Sequence, residues 1–482
     1  MKITSSGSFS ITAFIPWASC FLCLLTWSLY FKIFYPGLIS WDFYVQWHEM
    51  AGNIPLSDWH PVFHTLCMWV LTKIWFSPAI ISISQIVFFA LAVRLVVASL
   101  IKYQVPLSIV IVVAMFFAFF PLHGFYSVSL WKDMGYSISY LWMTVLLMNI
   151  VMLNGKFFEK KRNMILFFVT LCCLANMRHN GILLAFGILL VLLLFSDRSI
   201  RKILLITSLC FLCFMMAFKG PFFSYLDVNI RDKRVLKAHL PIQQVGEILN
   251  GDVELSKKEA ALLSHILPLD YWKEAYNARS CMSLIFGKNK DGKHYLNGEF
   301  LKNKQNYKAF LKVWVSLALR HPDSIIKYYI KSTELLWRVN VPYRVFVIAD
   351  EDLTEHDLLH GYQKSPYLRE RVGSVGNKLI DLIKDQKKGW FLHRAAIYFW
   401  STLLSIIVLM LRFRDTRILI IVSPFVFQSL SIALFPLVQD TRFVYPIILT
   451  APIFAALLFS PFCKTERFGK PVSGSPYHCS GI

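Results

Sequence analysis

The stretch YPGLISWDFYVQWHEMAGNIPLSDWHPVFH, residues 35–64, follows the first long apolar segment and decides how the rest of the chain is interpreted. It contains two Asp, one Glu and three His but no Lys or Arg. Ionisable side chains beside a membrane helix are costly to keep there, so a functional role is the first hypothesis. We therefore predict that this stretch forms the floor of an active site.

The composition indicates a membrane protein. Of the 482 residues, 56% are hydrophobic and 16% charged, and the mean hydropathy is +0.52. Repeated apolar runs of membrane-spanning length exclude an ordinary soluble globule. The net charge of +21 would favour nucleic acid in a soluble protein, but here the basic residues concentrate in short connections, where they orient the chain and contact anionic lipid. We expect membrane lipids as partners and no nucleic acid.

Hydropathy predicts an all-α polytopic bundle of about ten membrane-spanning helices. The predicted spans are Ile11–Phe34, Ala79–Ile101, Val105–Pro121, Gly135–Leu153, Met164–Met177, Gly181–Ser196, Ile203–Lys219, His393–Leu411, Ile418–Pro436 and Val444–Phe462. The apolar segment Pro61–Phe76 has only 16 residues and carries His64 and Lys73. We predict that it is a juxtamembrane or re-entrant helix and does not cross the membrane.

The distribution of basic residues sets the orientation. With Pro61–Phe76 left out, four basic segments fall on the same side as the N-terminus, which is then cytoplasmic. They are Lys156–Arg162, Arg198–Lys202, Arg412–Arg417 and Lys464–Lys470. We expect a bacterial inner-membrane protein with both termini in the cytoplasm.

Four regions follow from this topology. They are an N-terminal transmembrane module at 1–219, a largely helical exoplasmic and interfacial region at 220–392, C-terminal transmembrane helices at 393–463 and a cytoplasmic tail at 464–482. Within the second region, Lys312–Trp337 alternates apolar and basic residues around His321-Pro322. This pattern fits an interfacial helix pair and a packed helical core equally well.

The short exoplasmic connections concentrate polar side chains that membranes usually exclude. The candidates are Asp42, Gln46, His60 and His64 near the first connection, Lys132 and Asp133 in the second, Arg178, His179 and Asn180 in the third, and Asp440 and Arg442 in the last. An acid, a histidine and fixed cations on one membrane face suit a phosphate-linked substrate. The cations would hold the phosphate, and a carboxylate would accept a proton from an attacking hydroxyl.

Each candidate also has a structural interpretation. Asp42 and Asp58 can cap helices, Lys132 and Asp133 can form a local ion pair at a helix start, and Arg178 can extend to the interface. Lone histidines such as His60 and His64 are usually satisfied structural residues, and Asp440 with Arg442 can be a structural pair. We favour function for Asp42, because its loop lacks bases, and for the Arg178–Asn180 turn, because three polar residues between apolar helices are costly.

The pattern gives little support to a metal or nucleotide cofactor. The carboxylates of the short connections are scattered, and the sequence has no H-E-x-x-H, Walker or G-x-G-x-x-G motif. A divalent cation held jointly by Asp42 and Asp133 is the one metal arrangement considered, and the metal site stays unknown.

These motifs resemble those of polytopic glycosyltransferases of the GT-C fold. The matching features are an acidic first exoplasmic loop with Asp42, a juxtamembrane segment opened by His60-Pro61, and an acidic second loop with Asp133. More narrowly, P-G-x-x-S-W-D, S-D-W-H-P-V-F-H-T, L-W-K-D, R-H-N-G and Q-D-T-R-F-V-Y-P are similar to a family of uncharacterised bacterial membrane proteins placed near that fold. The narrower resemblance spans most of Tyr35–Pro446 but constrains Gly220–Lys308 poorly.

The resemblance implies an inverting glycosyltransferase that moves a sugar from a polyprenyl-phosphate donor to a cell-envelope glycan, such as a polysaccharide, or to a lipid acceptor. It makes Asp42 the base, matches Asp133 to the second-loop acid, and places Lys132, Arg178 or Arg442 near the lipid phosphate. Our leading hypothesis adds that His60 and Arg178 stabilise the leaving phosphate and that Asp133 positions Lys132 or a cation. The chain lacks the paired acidic motif and large soluble C-terminal domain of better-known members. A flippase or transporter of lipid-linked saccharides and a glycan polymerase remain alternatives.

Overall fold

The computed structural model describes residues 11–230, 232–251, 253–340, 355–360, 370, 372–385 and 394–461. Among these residues every extended regular element is a helix, and strand-type pairing is limited to isolated bridges. The predicted all-α class is thus confirmed. The predicted cytoplasmic tail, and His393 at the start of one predicted span, lie outside the described residues.

The helices follow one another closely in the first half of the chain. They are α1 Ile11–Ile33, α2 Trp41–Met50, α3 Val62–Thr72, α4 Ala79–Lys102, α5 Leu107–Phe119, α6 Pro121–Ser127, α7 Lys132–Leu153, α8 Lys161–Asn176, α9 Gly181–Phe195, α10 Arg198–Ala217 and α11 Phe223–Tyr225. A 3-10 turn, Asn154–Glu159, precedes α8, and a π-helical turn, Phe218–Phe222, joins α10 to α11.

The second half begins with shorter helices and ends with three longer apolar ones. They are α12 Lys233–Leu249, α13 Lys257–Ile266, α14 Leu269–Glu274, α15 Met282–Phe286, α16 Gly298–Lys302, α17 Lys304–Arg320, α18 Pro322–Ser332, α19 Glu334–Trp337, α20 Glu355–His360, α21 Gly373–Lys384, α22 Ala395–Phe413, α23 Ile418–Leu434 and α24 Thr441–Leu457.

The described residues form two compact units. The first takes its residues from Met1–Asn229, Val347–Gln428 and Tyr445–Ile482, and the second from Ile230–Phe346 and Ser429–Val444. In the first unit, α1 packs against α4 and α5, and α7 packs against α4 and α8. The second unit has its own apolar core, to which α12 contributes Ile242, Val245 and Ile248.

Five helices of the described chain are long and apolar enough to cross a membrane. They are Thr12–Ile33, Ala79–Lys102, Lys132–Leu153, Arg198–Tyr225 and Ala395–Phe413. A sixth crossing is added if α5 and α6, which bend by 52° at their junction, form one span. A helix lies at each of the ten predicted spans, but α8, α9, α23 and α24 have only 15 to 17 residues, so ten crossings stay a prediction.

The surface of α1 fits a lipid environment. Phe14, Trp17, Phe21, Leu25 and Leu29 are all exposed and recur every three or four residues, so they form one uncovered apolar stripe. In water such a stripe is unfavourable by about 25 cal/mol per Å² relative to burial, whereas lipid tails cover it. With the crossing helices, this stripe identifies a helical membrane protein.

Helix α3 falls within the segment that we predicted not to cross. It has 11 residues, which corresponds to about 16 Å at the rise of an α-helix, against a hydrocarbon core of about 30 Å. Its length fits a helix that does not cross, and the juxtamembrane or re-entrant placement stays a prediction.

Candidate functional site

A backbone bridge joins the loop before α2 to the loop before α7. The Leu38 amide donates to the Val128 carbonyl at 2.8 Å, and the Leu130 amide donates to the Leu38 carbonyl at 3.0 Å. These bonds place two loops that lie far apart in the sequence side by side. The first turns of α2 and α7 consequently approach each other.

Two polar side chains of α4 form hydrogen bonds to the backbone of these loops. The Ser82 hydroxyl donates to the Pro36 carbonyl at 2.8 Å, and the Gln85 side-chain amide donates to the Ser129 carbonyl at 3.1 Å. Both residues are buried in a mainly apolar helix. Gly37, with φ of +142°, lets the chain pass so close that an added Cβ would lie 2.5 Å from the Ser82 hydroxyl.

An acid and a base meet where the two helices begin. The Lys132 ammonium lies 2.5 Å from Asp42 Oδ2. The helix cap of α2 is Ser40, whose hydroxyl accepts from the Phe43 amide, so the interpretation of Asp42 as an N-cap is wrong. Asp42 instead lies in the first turn, where the helix dipole favours a carboxylate.

The neighbouring acid pairs with a third loop. Asp133 Oδ1 lies 3.0 Å from Arg178 Nε, and the side chains are only 2% and 11% exposed. Consecutive residues thus have partners on different loops, and the local Lys132–Asp133 ion pair does not form because Lys132 bonds Asp42. The prediction that Asp133 positions Lys132 is corrected, since Asp133 holds Arg178.

Further groups fix the position of Arg178. Its guanidinium lies 5.3 Å from the centre of the Tyr136 ring, in the range of a cation–π contact. The Tyr136 hydroxyl in turn donates to Gln428 Oε1 at 2.5 Å, and Gln428 is fully buried. These contacts give the arginine a defined orientation.

The predicted residues Gln46 and His64 tie α2 to α3. Gln46 Oε1 lies 3.1 Å from His64 Nδ1, and Gln46 Nε2 donates to the Thr65 hydroxyl at 3.0 Å. Both side chains are buried and have protein partners. Their direct role is to position α3, and the predicted contact with substrate stays a prediction.

His60 is a buried histidine outside the membrane-crossing helices. Burial is the main cause that lowers its pKa to about 3, and the nearby Lys132 lowers the pKa further. The side chain is therefore neutral at physiological pH. A neutral His60 can donate one hydrogen bond to a phosphate oxygen but cannot supply a positive charge.

The Arg178–Asn180 turn joins α8 to α9, as predicted. Within it, the His179 Nε2 atom lies 3.1 Å from the Trp59 carbonyl oxygen. Because a carbonyl only accepts hydrogen bonds, Nε2 carries the proton. Desolvation is the main cause that lowers the pKa of His179, and the hydrogen bond to Trp59 opposes it. Asn180 immediately precedes α9.

Asp440 and Arg442 belong to the second unit. Arg442 Nε lies 2.8 Å from Asp440 Oδ2, and the Arg442 amide donates to Asp440 Oδ1 at 3.0 Å. The structural ion pair considered from the sequence does form. Substrate binding by these two residues stays a prediction.

Other polar groups of the first loop maintain its shape. Glu49 Oε1 accepts from the Ser57 hydroxyl at 2.7 Å and from the Ser57 amide at 3.2 Å. Pro61 is the N-cap residue of α3, and no side chain makes a capping bond there. The interpretation of Asp58 as the cap of this helix is therefore wrong.

Sequence reasoning missed Ser82, Gln85, Tyr136 and Gln428. A signal was present for the first two, because polar residues three apart on an apolar span share one helix face. Tyr136 and Gln428 are separated by almost 300 positions, and neither belongs to a motif. Only the packing of α7 and α23 shows their contact.

The described residues contain no group of three or more His, Cys, Asp or Glu side chains placed to hold a metal ion. Asp42 and Asp133 each face a basic side chain. The divalent cation considered between them stays a prediction.

An apolar groove runs along α3 in the same unit. Its volume is about 630 Å³, and its lining residues are Phe63, Leu66, Cys67, Val70 and Leu71 of α3, Phe88 of α4, and Phe214, Ala217, Phe218 and Phe222 of α10 and the π-helical turn. The α3 residues are spaced by three and four and so share one face. The same helix begins at Val62, two residues after His60, so α3 leads from the first polar loop to the groove.

The fold and the site define a helical membrane protein with paired charges at its loop ends. Residues 55–467 match the family described as "Family of unknown function (DUF6020)", and the chain belongs to this family. No curated protein and no solved structure matches the chain.

Proposed function

We propose that this chain is a GT-C type glycosyltransferase of the bacterial inner membrane. It moves a sugar from a polyprenyl-phosphate donor to a cell-envelope glycan or lipid acceptor on the exoplasmic face. The observation that carries the proposal is the meeting of Asp42 with Lys132, an acid and a base from separate loops, beside the buried Asp133–Arg178 pair. This arrangement offers both a proton acceptor and a phosphate-binding cation.

The proposed topology has ten crossings, with both termini in the cytoplasm. Its support is the basic composition of alternate connections and the helix that lies at each predicted span. The four short helices cross with the help of polar ends and local thinning of the bilayer, which membranes allow at modest cost. Under this topology, the loops that carry Asp42, Lys132 and Arg178 face the exoplasm.

Asp42 acts as the general base. The acceptor oxygen attacks the anomeric carbon, the bond between that carbon and the phosphate oxygen breaks, and the hydroxyl proton passes to the Asp42 carboxylate. The electron pair of the broken carbon–oxygen bond leaves with the polyprenyl phosphate. A single displacement of this kind inverts the anomeric configuration.

Lys132 couples substrate binding to activation of the base. It bonds Asp42 at 2.5 Å in the structure, and an arriving phosphate competes for the same ammonium group. When Lys132 turns to the phosphate, the carboxylate becomes available to the acceptor hydroxyl. Arg178, held by Asp133 and Tyr136, is a second cation for the leaving phosphate.

The groove along α3 supports a lipid-linked donor. A polyprenyl carrier is an amphiphile with a charged head and a long hydrocarbon tail. Helix α3 begins at the charged loops and lines the apolar groove with five side chains. A head at the loops and a tail in the groove would match this division.

The test compares glycans from four bacterial strains that produce the wild-type protein, Asp42→Asn, Asp227→Asn or no protein. Asp227 is an exposed acid with a positive φ of 50°, a conformation that Asn also accepts well, so its variant is a matched control. Lipid-linked sugars and envelope glycans are extracted and compared by mass spectrometry, with expression confirmed for each variant.

We expect Asp42→Asn and the null strain to lack one sugar unit on the envelope glycan and to accumulate the monosaccharide lipid. The Asp227→Asn strain should match wild type. A normal glycan in the Asp42→Asn strain, together with a defect in the null strain, would contradict the proposed base. That outcome would favour a transporter of lipid-linked saccharides.

A further inference from the structure

Helix α18 of the second unit distributes its side chains in the reverse of the usual order. Ser324, Tyr328 and Ser332 are buried, whereas Ile326 is 60% and Ile330 is 50% exposed. The buried Tyr328 hydroxyl donates to the Pro436 carbonyl at 3.1 Å, whereas the exposed isoleucines are unfavourable to leave in water. This reversal indicates that the isoleucine face meets an apolar environment.

Helix α17 provides more of the same surface. Leu319, which is 78% exposed, and the exposed Val315 lie one turn apart. They lie opposite Leu317, which packs in the apolar core of the unit. The helix pair is therefore packed on one face and uncovered on the other. We call Val315, Leu319, Ile326 and Ile330 the apolar strip.

Basic side chains continue the strip along α17. Lys308 and Lys312 are exposed and precede Val315 on the same helix face. Neither lysine makes an ion pair within the described residues. Nearer the hairpin, Lys327 pairs with Asp323 at 3.2 Å, and Arg320 pairs with Glu259. An apolar tip followed by unpaired lysines is typical of segments that lie on anionic membranes.

The chain keeps this unit close to a bilayer. The membrane-crossing candidate Arg198–Tyr225 ends only a few residues before the unit begins at Ile230. Even a fully extended connection of that length reaches less than about 20 Å. A lipid surface is thus always within reach, at a concentration that a soluble partner does not match.

We propose that the α17–α18 hairpin lies in the interfacial layer of the membrane. The apolar strip enters the boundary between headgroups and acyl chains, and Lys308 and Lys312 contact anionic headgroup phosphates. This inference is independent of the proposed enzymatic activity, because it concerns other residues and a different ligand.

The test uses the full-length protein in lipid nanodiscs. An environment-sensitive fluorophore is attached at Leu319→Cys or at Ser264→Cys, which is exposed on α13 of the same unit. The unsubstituted protein gives the background from native cysteines. Lipids that carry a nitroxide quencher in the upper acyl chain report contact with the bilayer, with phosphatidylcholine alone or mixed with phosphatidylglycerol.

We expect quenching at position 319, none at position 264, and stronger quenching with phosphatidylglycerol. Lys308→Gln combined with Lys312→Gln should remove the effect of phosphatidylglycerol. Equal quenching at the two positions would overturn the proposal. The proposal would also be overturned if the fluorophore at position 319 reported the same shielded environment in detergent and in lipid. Protein, and not the bilayer, would then cover the strip. Indifference to phosphatidylglycerol would refute the role of the lysines.

Discussion

Asp133 and Arg178 form a more buried ion pair than Asp42 and Lys132, whose side chains are 32% and 15% exposed. Burial decides what the loss of one partner costs. A charge left alone in the interior is strongly destabilising, whereas a partly exposed ion pair contributes little. The two neighbouring pairs therefore have different roles, since one mainly stabilises the site and the other is available for chemistry.

Asp133→Asn should destabilise the protein much more than Asp42→Asn. We expect a loss of about 3 to 5 kcal/mol for Asp133→Asn, from the uncompensated charge of Arg178, and less than about 1 kcal/mol for Asp42→Asn. Thermal unfolding in detergent, followed by intrinsic fluorescence, measures both. Adding Arg178→Gln to Asp133→Asn should restore part of the loss. Equal melting temperatures for the two single variants would be inconsistent with this division.

His60 should make stability depend on pH. Its folded pKa is about 3, against about 6.5 in an unfolded chain. Between these values the unfolded state binds a proton that the folded state does not, so stability falls as the pH falls below about 6.5. The contribution of one such histidine is about 1.4 kcal/mol per pH unit.

The measurement is thermal unfolding from pH 7 to pH 4. His60→Gln should lose less stability over this range than wild type, and the exposed His294→Gln should behave as wild type. If the pH dependence of His60→Gln equals that of wild type, the pKa of His60 is the same in the folded and unfolded states, and the prediction is contradicted.

At the scale of residues, the sequence singled out charged side chains that the structure places in ion pairs, but it did not show which residues pair. Asp42, Lys132, Asp133 and Arg178 stood out because charged groups are rare beside apolar helices. Their crossed pairing was hidden, because Lys132 and Asp133 are adjacent in sequence but lie at a helix start, where side chains point in different directions. The neutral state of His60 also depends on burial that a sequence does not reveal.

Among the elements, the contact between the first and second loops organises the site. Gly37 enables it, since the residue has a positive φ and lies against Ser82 and the Val128 carbonyl. The backbone bonds of Leu38 follow immediately. A side chain at position 37 would push the two loops apart, and Asp42 would then move away from Lys132.

Gly37→Ala should reduce both stability and activity. Backbone strain alone costs about 1 to 3 kcal/mol, and the added Cβ would lie 2.9 Å from the Val128 oxygen, a backbone atom that cannot turn aside. Gly220→Ala is the matched control, because nothing lies within 4 Å of its added Cβ. Melting temperature and sugar transfer are compared for both variants. A fully active and stable Gly37→Ala protein would show that the bridge is dispensable.

The groove along α3 gives a prediction about the carrier lipid. Ala217 lines the groove, and Ala217→Trp should fill part of it. Transfer from a long-chain donor should fall about tenfold, because losing two methylene contacts at about 0.8 kcal/mol each has that effect. Transfer from a donor with a very short chain should change little.

Leu212→Trp is the control for this experiment, since Leu212 is exposed on the same helix and does not line the groove. Transfer is measured with purified protein and donors of both chain lengths. The groove is not the tail site if Ala217→Trp and Leu212→Trp behave alike with the long-chain donor.

Over the whole molecule, the sequence predicted the membrane class and the position of the helices. Apolar runs are long and the connections are basic, so both signals are strong. The number of crossings does not follow from the sequence alone, because α8, α9, α23 and α24 have lengths that both a short span and a buried helix can adopt. The sequence predicted a separate region near 220–392 but not the full second unit. That unit also includes residues 429–444, which lie in an apolar part of the sequence.

The most direct test of the central claim uses purified protein in vesicles together with lipids extracted from the null strain. We predict that wild type and Asp227→Asn, given the envelope acceptor, consume the accumulated lipid-linked sugar and release polyprenyl phosphate. Asp42→Asn should do neither. Mass spectrometry of both lipids measures the exchange. If wild type leaves the lipid-linked sugar unchanged, the proposed transferase activity is contradicted. If Asp42→Asn consumes the lipid-linked sugar as wild type does, Asp42 is not the base.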